Sequence, residues 1–199
     1  LDNASAVIAV GQNTTLDIYG TITAKNNFAV SGNGSKGQSG TTININDGAV
    51  IDAVNAPAIY HPQSGTLNIK GGTITGVDSA IAIKSGTLNI SGGTITATGL
   101  DTTPTEGYSN GVNASGAAIQ IESNKGYYGN PDNTYNTPHN ESDEVQINVT
   151  DGTIESQNGV AIYEYLASGT TKSSVKGINI SAGYIKSPKA NFMVSQELS

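Results

Sequence analysis

Short segments of alternating apolar and polar residues recur along the chain, separated by Gly, Asn and Ser. The segments 65–76, GTLNIKGGTITG, and 86–97, GTLNISGGTITA, are nearly identical and begin 21 residues apart. Alternation with a period of two is typical of β-strands that bury one face. No helical periodicity extends beyond two turns. The pattern therefore predicts an all-β protein.

Each repeat contains three alternating segments, which predicts three strands and three corners. Inward aliphatic residues of the first segment are Leu16, Ile43, Leu67, Leu88, Ile147 and Ile178. Those of the second segment are Ile22, Val50, Ile74, Ile95, Ile154 and Ile185. Those of the third are Val30, Ile59, Ile81, Ile119, Ile162 and Val194. One repeat cannot bury its own apolar face, whereas stacked repeats share a continuous core.

The repeats are irregularly spaced, and parallel crossovers are nearly always right-handed. We therefore predict one domain over residues 1–199, a single-stranded right-handed parallel β-helix of about six coils with three strands each. Two long insertions, 98–115 and 122–144, interrupt the repeat around the segment Ala117–Ile121. Because loops on a rigid scaffold often carry binding groups, these insertions point to a functional face.

The third strand predicts what lies beneath the insertions. If its isoleucines point inward, the neighbouring residues point outward, with Tyr60 and Tyr163 at either end. The outward set also includes a floor of small residues, Ala58, Ala80, Ala118 and Ala161. Three strand steps of about 4.8 Å separate the two tyrosines by roughly 14 Å, the length of a short oligosaccharide.

The candidate ligand of this face is a polysaccharide or host glycan. Sugar rings pack their C–H faces on aromatic rings, and their hydroxyls need carboxylate and amide partners. The predicted ligand-binding residues are Tyr60, Tyr163, Gln120, Glu122, Tyr108, Tyr127 and Tyr128. In the alternative interpretation the insertions fold over the alanines, and the tyrosines cover loop backbone.

A second outward column lies on the first strand of each repeat. Its members are Asp17, Asn44, Asn68, Asn89, Asn148 and Asn179. Stacked amide side chains hydrogen-bond to one another at strand spacing, so we predict an amide ladder along this sheet. A structural ladder explains the column, and a flat polar surface for polysaccharide is the alternative.

Composition excludes several classes of function. The chain has 199 residues, no Cys, no Trp and no Arg, with nine Lys against sixteen acidic residues and a formal net charge of −7. A net acidic chain is a poor ligand for nucleic acid. The absence of Cys excludes disulfides and thiolate metal sites. No apolar run is long enough to span a membrane, and we interpret the chain as an excised segment of a longer exported protein.

Carboxylates in one insertion form a candidate calcium site. The run 140–144 offers Glu141, Asp143 and Glu144, and Ca²⁺ takes six to eight oxygen ligands. An acidic, solvated loop is the alternative. No other cofactor is expected.

The segments 65–75 and 86–96 resemble the repeats of bacterial cell-surface right-handed parallel β-helix proteins of the pectate-lyase-like superfamily. The resemblance implies an extracellular or cell-surface protein that binds carbohydrate or belongs to an adhesin. Many lyases of that superfamily use an Arg base, which this chain lacks, and the Asp-Asp and Gly-His-Gly motifs of its hydrolases are absent.

A non-catalytic glycan-binding module is therefore the predicted function. The first alternative is a structural stalk or adhesin segment without its own ligand site. The second is a lyase-like enzyme with Lys70 or Lys84 as its base, which requires burial or a neighbouring charge to depress the lysine pKa.

Overall fold

A computed structural model of the chain describes residues 6–34, 38–102, 115–123, 144–166 and 173–194. These residues form an all-β structure without helices, and their paired strands all run parallel. The prediction of an all-β, parallel-stranded chain is confirmed. The strands form two sheets.

The first sheet contains seven strands, which follow one another in chain order. They are β1 (Ala6–Ala9), β4 (Phe28–Ser31), β7 (Ile59–His61), β10 (Ser79–Ile83), β12 (Ala117–Ser123), β14 (Ile162–Leu166) and β17 (Phe192–Met193).

The second sheet has two arms that share the long strands β11 (Gly86–Ala97) and β13 (Val145–Ser156). The other strands of the first arm are β2 (Thr15–Ile18), β5 (Ser39–Ile45), β8 (Ser64–Ile69) and β15 (Val175–Ile180). The other strands of the second arm are β3 (Thr21–Ala24), β6 (Val50–Ala53), β9 (Thr73–Gly76) and β16 (Tyr184–Lys186).

The chain visits the first arm, the second arm and the first sheet in turn, which gives a solenoid-like architecture. The predicted register of the first segments is confirmed, because Leu67 pairs with Ile43 and with Leu88. Two other positions are wrong. Ile51, not Val50, pairs with Ile22 and is buried. Phe192, not Val194, pairs with Ile162.

Inward aliphatic side chains of both sheets form one apolar cluster along the solenoid. Ile45, Ile69 and Ile90 follow one another across three strands and are at most 1% exposed. The cluster explains why strict alternation matters, because a shift by one residue would turn each of these side chains to solvent.

A glycine column makes the corner between the two arms. Gly93 has a φ of 80°, a conformation that costs little only without a side chain. A Cβ at Gly93 would also lie 2.6 Å from the backbone oxygen of Gly71 in the preceding repeat. The Gly-Gly pairs in the sequence repeats thus set both the turn and the close stacking of the corners.

Candidate binding face of the first sheet

Four outward residues lie side by side across the middle of the first sheet. Tyr60 on β7 pairs with Ala82 on β10, which pairs with Gln120 on β12, and Gln120 pairs with Tyr163 on β14. We call these four residues the tyrosine row. The two tyrosines are three strand steps apart, as the sequence predicted.

A second set of outward residues lies two positions further along the same strands. Lys84 follows Ala82, Glu122 follows Gln120, and Tyr165 follows Tyr163. Glu122 pairs with Tyr165 across β12 and β14. Because side chains two residues apart share a face of a strand, these three extend the face that carries the tyrosine row.

A lysine and a carboxylate meet in this face. Lys84 Nζ lies 3.1 Å from Glu122 Oε2, and the two side chains are 11% and 0% exposed. Gln120 Nε2 donates a hydrogen bond of 2.6 Å to Glu122 Oε1. The carboxylate therefore has a charged partner on one oxygen and an amide donor on the other, which is what a buried charge requires.

Aromatic side chains flank the ion pair on one side. Lys84 Nζ lies 5.6 Å from the centre of the Tyr60 ring, within the range of a cation–π contact. Tyr60 in turn stacks on Phe28, with ring centres 4.9 Å apart and planes at 26°. The ring of Tyr60 is thus fixed between Phe28 and Lys84.

Burial has the largest effect on the pKa of Lys84. Removal of the ammonium from water lowers the pKa of Lys84, and the charge and hydrogen bond of Glu122 oppose that change in part. The condition that sequence reasoning set for a lysine base, a depressed pKa, is met at this position. However, the carboxylate of Glu122 lies beside the amine of Lys84 and favours its protonated form.

The opposite side of the face is polar and partly open. Burial raises the pKa of Tyr163, and the charge of Asp101 raises it further. Asp101 itself forms an ion pair with Lys189. Tyr163 and Tyr165 are half-buried, so parts of both rings contact solvent.

The middle of the face is closed. Gln120 and Glu122 are 0% and 1% exposed, and Ala82 is also fully buried. Tyr60 and Tyr163 remain half-buried on either side. A ligand that approaches this face therefore meets the tyrosines first, and the buried amide and carboxylate support the face from beneath.

The predicted alanine floor is wrong. All four alanines, Ala58, Ala80, Ala118 and Ala161, are fully buried and belong to the main apolar cluster together with the isoleucines that follow them. Ala58 and Ala161 donate backbone hydrogen bonds just before their strands begin, where the chain leaves a corner. Ala58 and Ala161 directly precede their strands, whereas Ala80 and Ala118 are the second residues of β10 and β12. Strict alternation therefore fails both at the corner and at the start of these strands.

Several predicted residues lie outside the described part of the chain. They are Tyr108, Tyr127 and Tyr128 among the ligand-binding residues, and Glu141 and Asp143 of the calcium candidate. Of the calcium candidates Glu144 is described, and it pairs with Lys176 at 2.9 Å on the surface. Among the described residues no three acidic, His or Cys side chains are grouped closely enough to hold a metal ion.

Sequence reasoning did not identify three residues as members of this face. Lys84 was considered alone as a base, and Phe28 and Tyr165 were not singled out. Tyr165 carried a usable signal, since it follows Tyr163 by two residues on one strand. No such sequence signal marks Phe28, because it lies at a corner, where the alternation of inward and outward residues fails.

His61 lies near the tyrosine row but on the inward face of the same sheet. It ends β7, pairs with Ile83 and is fully buried on the inward side. Burial lowers the pKa of His61 to about 4, and the backbone of Gly65 opposes the shift in part. That backbone is not placed for a regular hydrogen bond, and neither ring nitrogen has a partner in the described structure.

The predicted amide ladder is confirmed. Each Asn Nδ2 donates to the side-chain oxygen of the preceding strand, from Asn44 to Asp17 onward. The five distances are 2.9 Å for the pairs Asn44–Asp17, Asn68–Asn44, Asn89–Asn68 and Asn148–Asn89, and 3.1 Å for Asn179–Asn148. The ladder is satisfied internally along its whole length, which favours a structural role.

No family model, curated protein or solved structure matches this chain. Within the described ranges there is also no helix of the length and apolar character that a membrane span needs.

Proposed function

We propose that the chain is a right-handed parallel β-helix of about six coils and a non-catalytic, extracellular glycan-binding module of a bacterial surface protein. The observation that carries the proposal is the tyrosine row, in which two partly exposed aromatic rings lie about 14 Å apart on one face. The repeat resemblance to the pectate-lyase-like superfamily supports the cell-surface setting.

The binding chemistry follows from the composition of the face. Tyr60 and Tyr163 offer flat apolar rings with a polar tip, which suits the mixed surface of a sugar. Tyr165 extends the aromatic surface on one side. Gln120 and Glu122 act indirectly, because they hold Lys84 beneath the ligand and not because they reach solvent. The predicted contacts of Tyr108, Tyr127 and Tyr128 remain part of the proposal.

A binding assay with matched variants tests the proposal. A panel of bacterial and host polysaccharides should contain at least one ligand with a dissociation constant between about 1 μM and 1 mM. Tyr60→Ala with Tyr163→Ala should abolish that binding. Tyr19→Ala with Tyr184→Ala is the control, because those exposed tyrosines lie away from the first sheet.

Tyr163→Ala alone separates binding from stability. Tyr60 stacks on Phe28, so its removal also loses core packing, whereas Tyr163 has no stacked ring among the described residues. Tyr163→Ala should weaken binding while the melting temperature changes by only a few degrees. Retained affinity in the double variant would contradict the proposed face and direct attention to the amide ladder. Absence of any glycan ligand would favour the structural stalk or adhesin segment.

One observation favours a lyase as the second candidate function. A lyase base removes the proton beside the carboxylate of a uronate, and Lys84 is a buried lysine with a lowered pKa. We expect no turnover, because Glu122 stabilises the protonated amine that cannot act as a base. Ultraviolet absorbance of unsaturated products from pectin and alginate gives the readout. Steady product formation that Lys84→Met abolishes would establish the lyase instead.

A further inference from the structure

Three buried side chains meet in the middle of the first-sheet face, and together they hold an amine, a carboxylate and a primary amide. The amine of Lys84 lies 3.1 Å from Glu122 Oε2, and Gln120 Nε2 donates to Glu122 Oε1 at 2.6 Å. The side chains of Lys84 and Glu122 are 11% and 0% exposed, and Gln120 is 0% exposed. We call these three residues the amine–amide site.

Stability alone does not explain the amine–amide site. Gln120 Oε1 is buried and has no hydrogen-bond partner within the described structure. A buried ion pair and an unpartnered buried carbonyl both cost free energy, and apolar side chains of similar volume are often at least as stable in such a position. A polar group left in this state calls for a chemical explanation.

The strand register brings the amine close to the amide. Ala82 on β10 pairs with Gln120 on β12, and Lys84 lies two residues beyond Ala82. Lys84 and Gln120 are therefore diagonal neighbours on one face of the sheet, a relation that leaves Cα atoms about 7 to 8 Å apart. Long side chains such as these two reach one another over that distance.

The carboxylate of Glu122 lies between a nucleophile and a leaving group. Attack of an amine on an amide needs a base that takes a proton from the amine and an acid that gives a proton to the departing nitrogen. One oxygen of Glu122 contacts the amine, and the other accepts a hydrogen bond from the amide nitrogen that would depart. A single carboxylate in this position serves both proton transfers.

The surroundings allow the amine to become neutral. Burial lowers the pKa of Lys84. Transfer of one proton from Lys84 to Glu122 removes two charges from the interior at once, which burial favours. The ion pair is the resting state, but a reaction that happens once per chain needs the neutral amine only briefly, unlike the steady turnover of an enzyme.

We propose that the folded chain joins Lys84 to Gln120 by an intramolecular amide bond. Lys84 passes a proton to Glu122, and its Nζ attacks Cδ of Gln120. Glu122 gives that proton to Nε2 and takes the next one from Nζ, so the Cδ–Nε2 bond breaks and ammonia leaves. Ammonia then takes up the last proton, and Glu122 is again a carboxylate. Overall, an ammonium group and a primary amide give a secondary amide and an ammonium ion, with no oxidation or reduction and no co-reactant.

The bond would close a long segment of the chain. Lys84 and Gln120 are 36 positions apart in the printed sequence, and the insertion 98–115 lies between them. A covalent link that closes such a segment restricts the unfolded chain and so stabilises the fold. Unfolding measurements on the ion pair itself therefore use freshly synthesised chains of full mass as the reference.

The mass of the intact chain tests the proposal. Wild type should be lighter than its sequence by one ammonia. Trypsin does not cleave after a lysine whose amine is acylated, so the fragment 71–125 should stay uncut at Lys84. Further cleavage after Leu100 by chymotrypsin should leave peptides that remain joined and together lack one ammonia.

Matched variants separate this bond from other losses of ammonia. Gln120→Met removes the amide but leaves the ion pair of Lys84 and Glu122, so it should fold and keep its full mass. Glu122→Gln removes the proton carrier, and its folded fraction should also keep full mass. Lys176→Met is the control, because Lys176 forms an exposed ion pair with Glu144, and it should lose ammonia as wild type does.

Three results would overturn the proposal. The first is a wild-type chain at the full mass of its sequence. The second is a loss of ammonia that persists in Gln120→Met, because the ammonia would then come from another reaction, such as succinimide formation at Asn158-Gly159. The third is a bond that still forms in Glu122→Gln, which would remove Glu122 as the proton carrier and with it the mechanism.

Discussion

The amide ladder on the second sheet and the tyrosine row on the first cross the solenoid at the same strand spacing but are built differently. The ladder places nearly the same residue on every strand, and each amide satisfies its neighbour in the same way. The tyrosine row and its extension change residue at every strand and combine rings, an amide and an ion pair. Repetition suits a structural element, whereas variation is needed to recognise an asymmetric ligand.

The two regions also differ in solvent exposure and in the free-energy cost of losing a hydrogen-bond or charge partner. Ladder amides are mostly half-exposed, so water can replace a lost partner. Glu122 is 1% exposed, so a lost partner leaves a charge in the protein interior. Polar groups in the two regions should therefore respond very differently to substitution, and the predictions below test that contrast.

The largest effect is expected at the buried ion pair. Glu122→Leu should lower the free energy of unfolding by about 3 to 5 kcal/mol, because it leaves Lys84 buried without its carboxylate. The double variant Lys84→Met with Glu122→Leu should recover most of that loss, since an apolar pair needs no charge compensation. Urea unfolding followed by circular dichroism measures both.

The control for that pair is an exposed one. Lys186 pairs with Glu155 at 2.7 Å, but its side chain is largely in water. Lys186→Met should therefore change stability much less than Glu122→Leu. Equal effects at the two pairs would mean that the middle of the first-sheet face is open to water in solution.

An intermediate effect is expected from His61 and depends on pH. The pKa of His61 is about 4 in the folded chain and 6.5 as a model value, so between these pH values the unfolded state binds more protons. Stability therefore rises with pH over this range. The part due to His61 is fully present above pH 6.5 and lost as pH falls toward 4, by about 3 kcal/mol at most.

The variant His61→Leu isolates this contribution. It removes the proton-binding group and the two unpartnered nitrogens, so its melting temperature should depend less on pH between 4 and 6.5 than that of wild type. His139→Gln provides a sequence-matched control. Identical pH profiles for His61→Leu and wild type would show that His61 is hydrated in solution.

Sequence reasoning reached the all-β, parallel-stranded architecture and the amide ladder because both rest on repetition. The column from Asp17 to Asn179 could be recognised in the sequence because every member directly follows an inward Leu or Ile. It also placed Tyr60 and Tyr163 on one face at the correct separation. It failed at Ala58 and Val50, which lie at corners, because alternation says nothing about which way a corner residue turns.

Contacts within the face were less predictable for a different reason. Lys84 and Glu122 are 38 positions apart in the printed sequence, and an insertion of unequal length separates their strands. Only the register between β10 and β12 shows that they are neighbours. Their burial depends on what covers the sheet, and no periodic pattern on the strands reports that.

The smallest effect on the free energy of unfolding is expected at the amide ladder. Substitutions there distinguish the loss of a side chain from a change in its hydrogen-bonding groups. Asn68→Ala removes a donor to Asn44 and an acceptor for Asn89. Asn89 is half-buried and Asn44 is buried but uncharged, so the loss should be about 1 kcal/mol. Asn68→Asp should cost more at neutral pH, because it sets a carboxylate against the oxygen of Asn44, and protonation at low pH should reduce the difference. Asp17→Asn should have almost no effect, since an amide oxygen accepts from Asn44 as a carboxylate does. Urea midpoints at neutral and acid pH measure all three. Equal losses for Asn68→Ala and Asn68→Asp would mean that the ladder has no fixed direction.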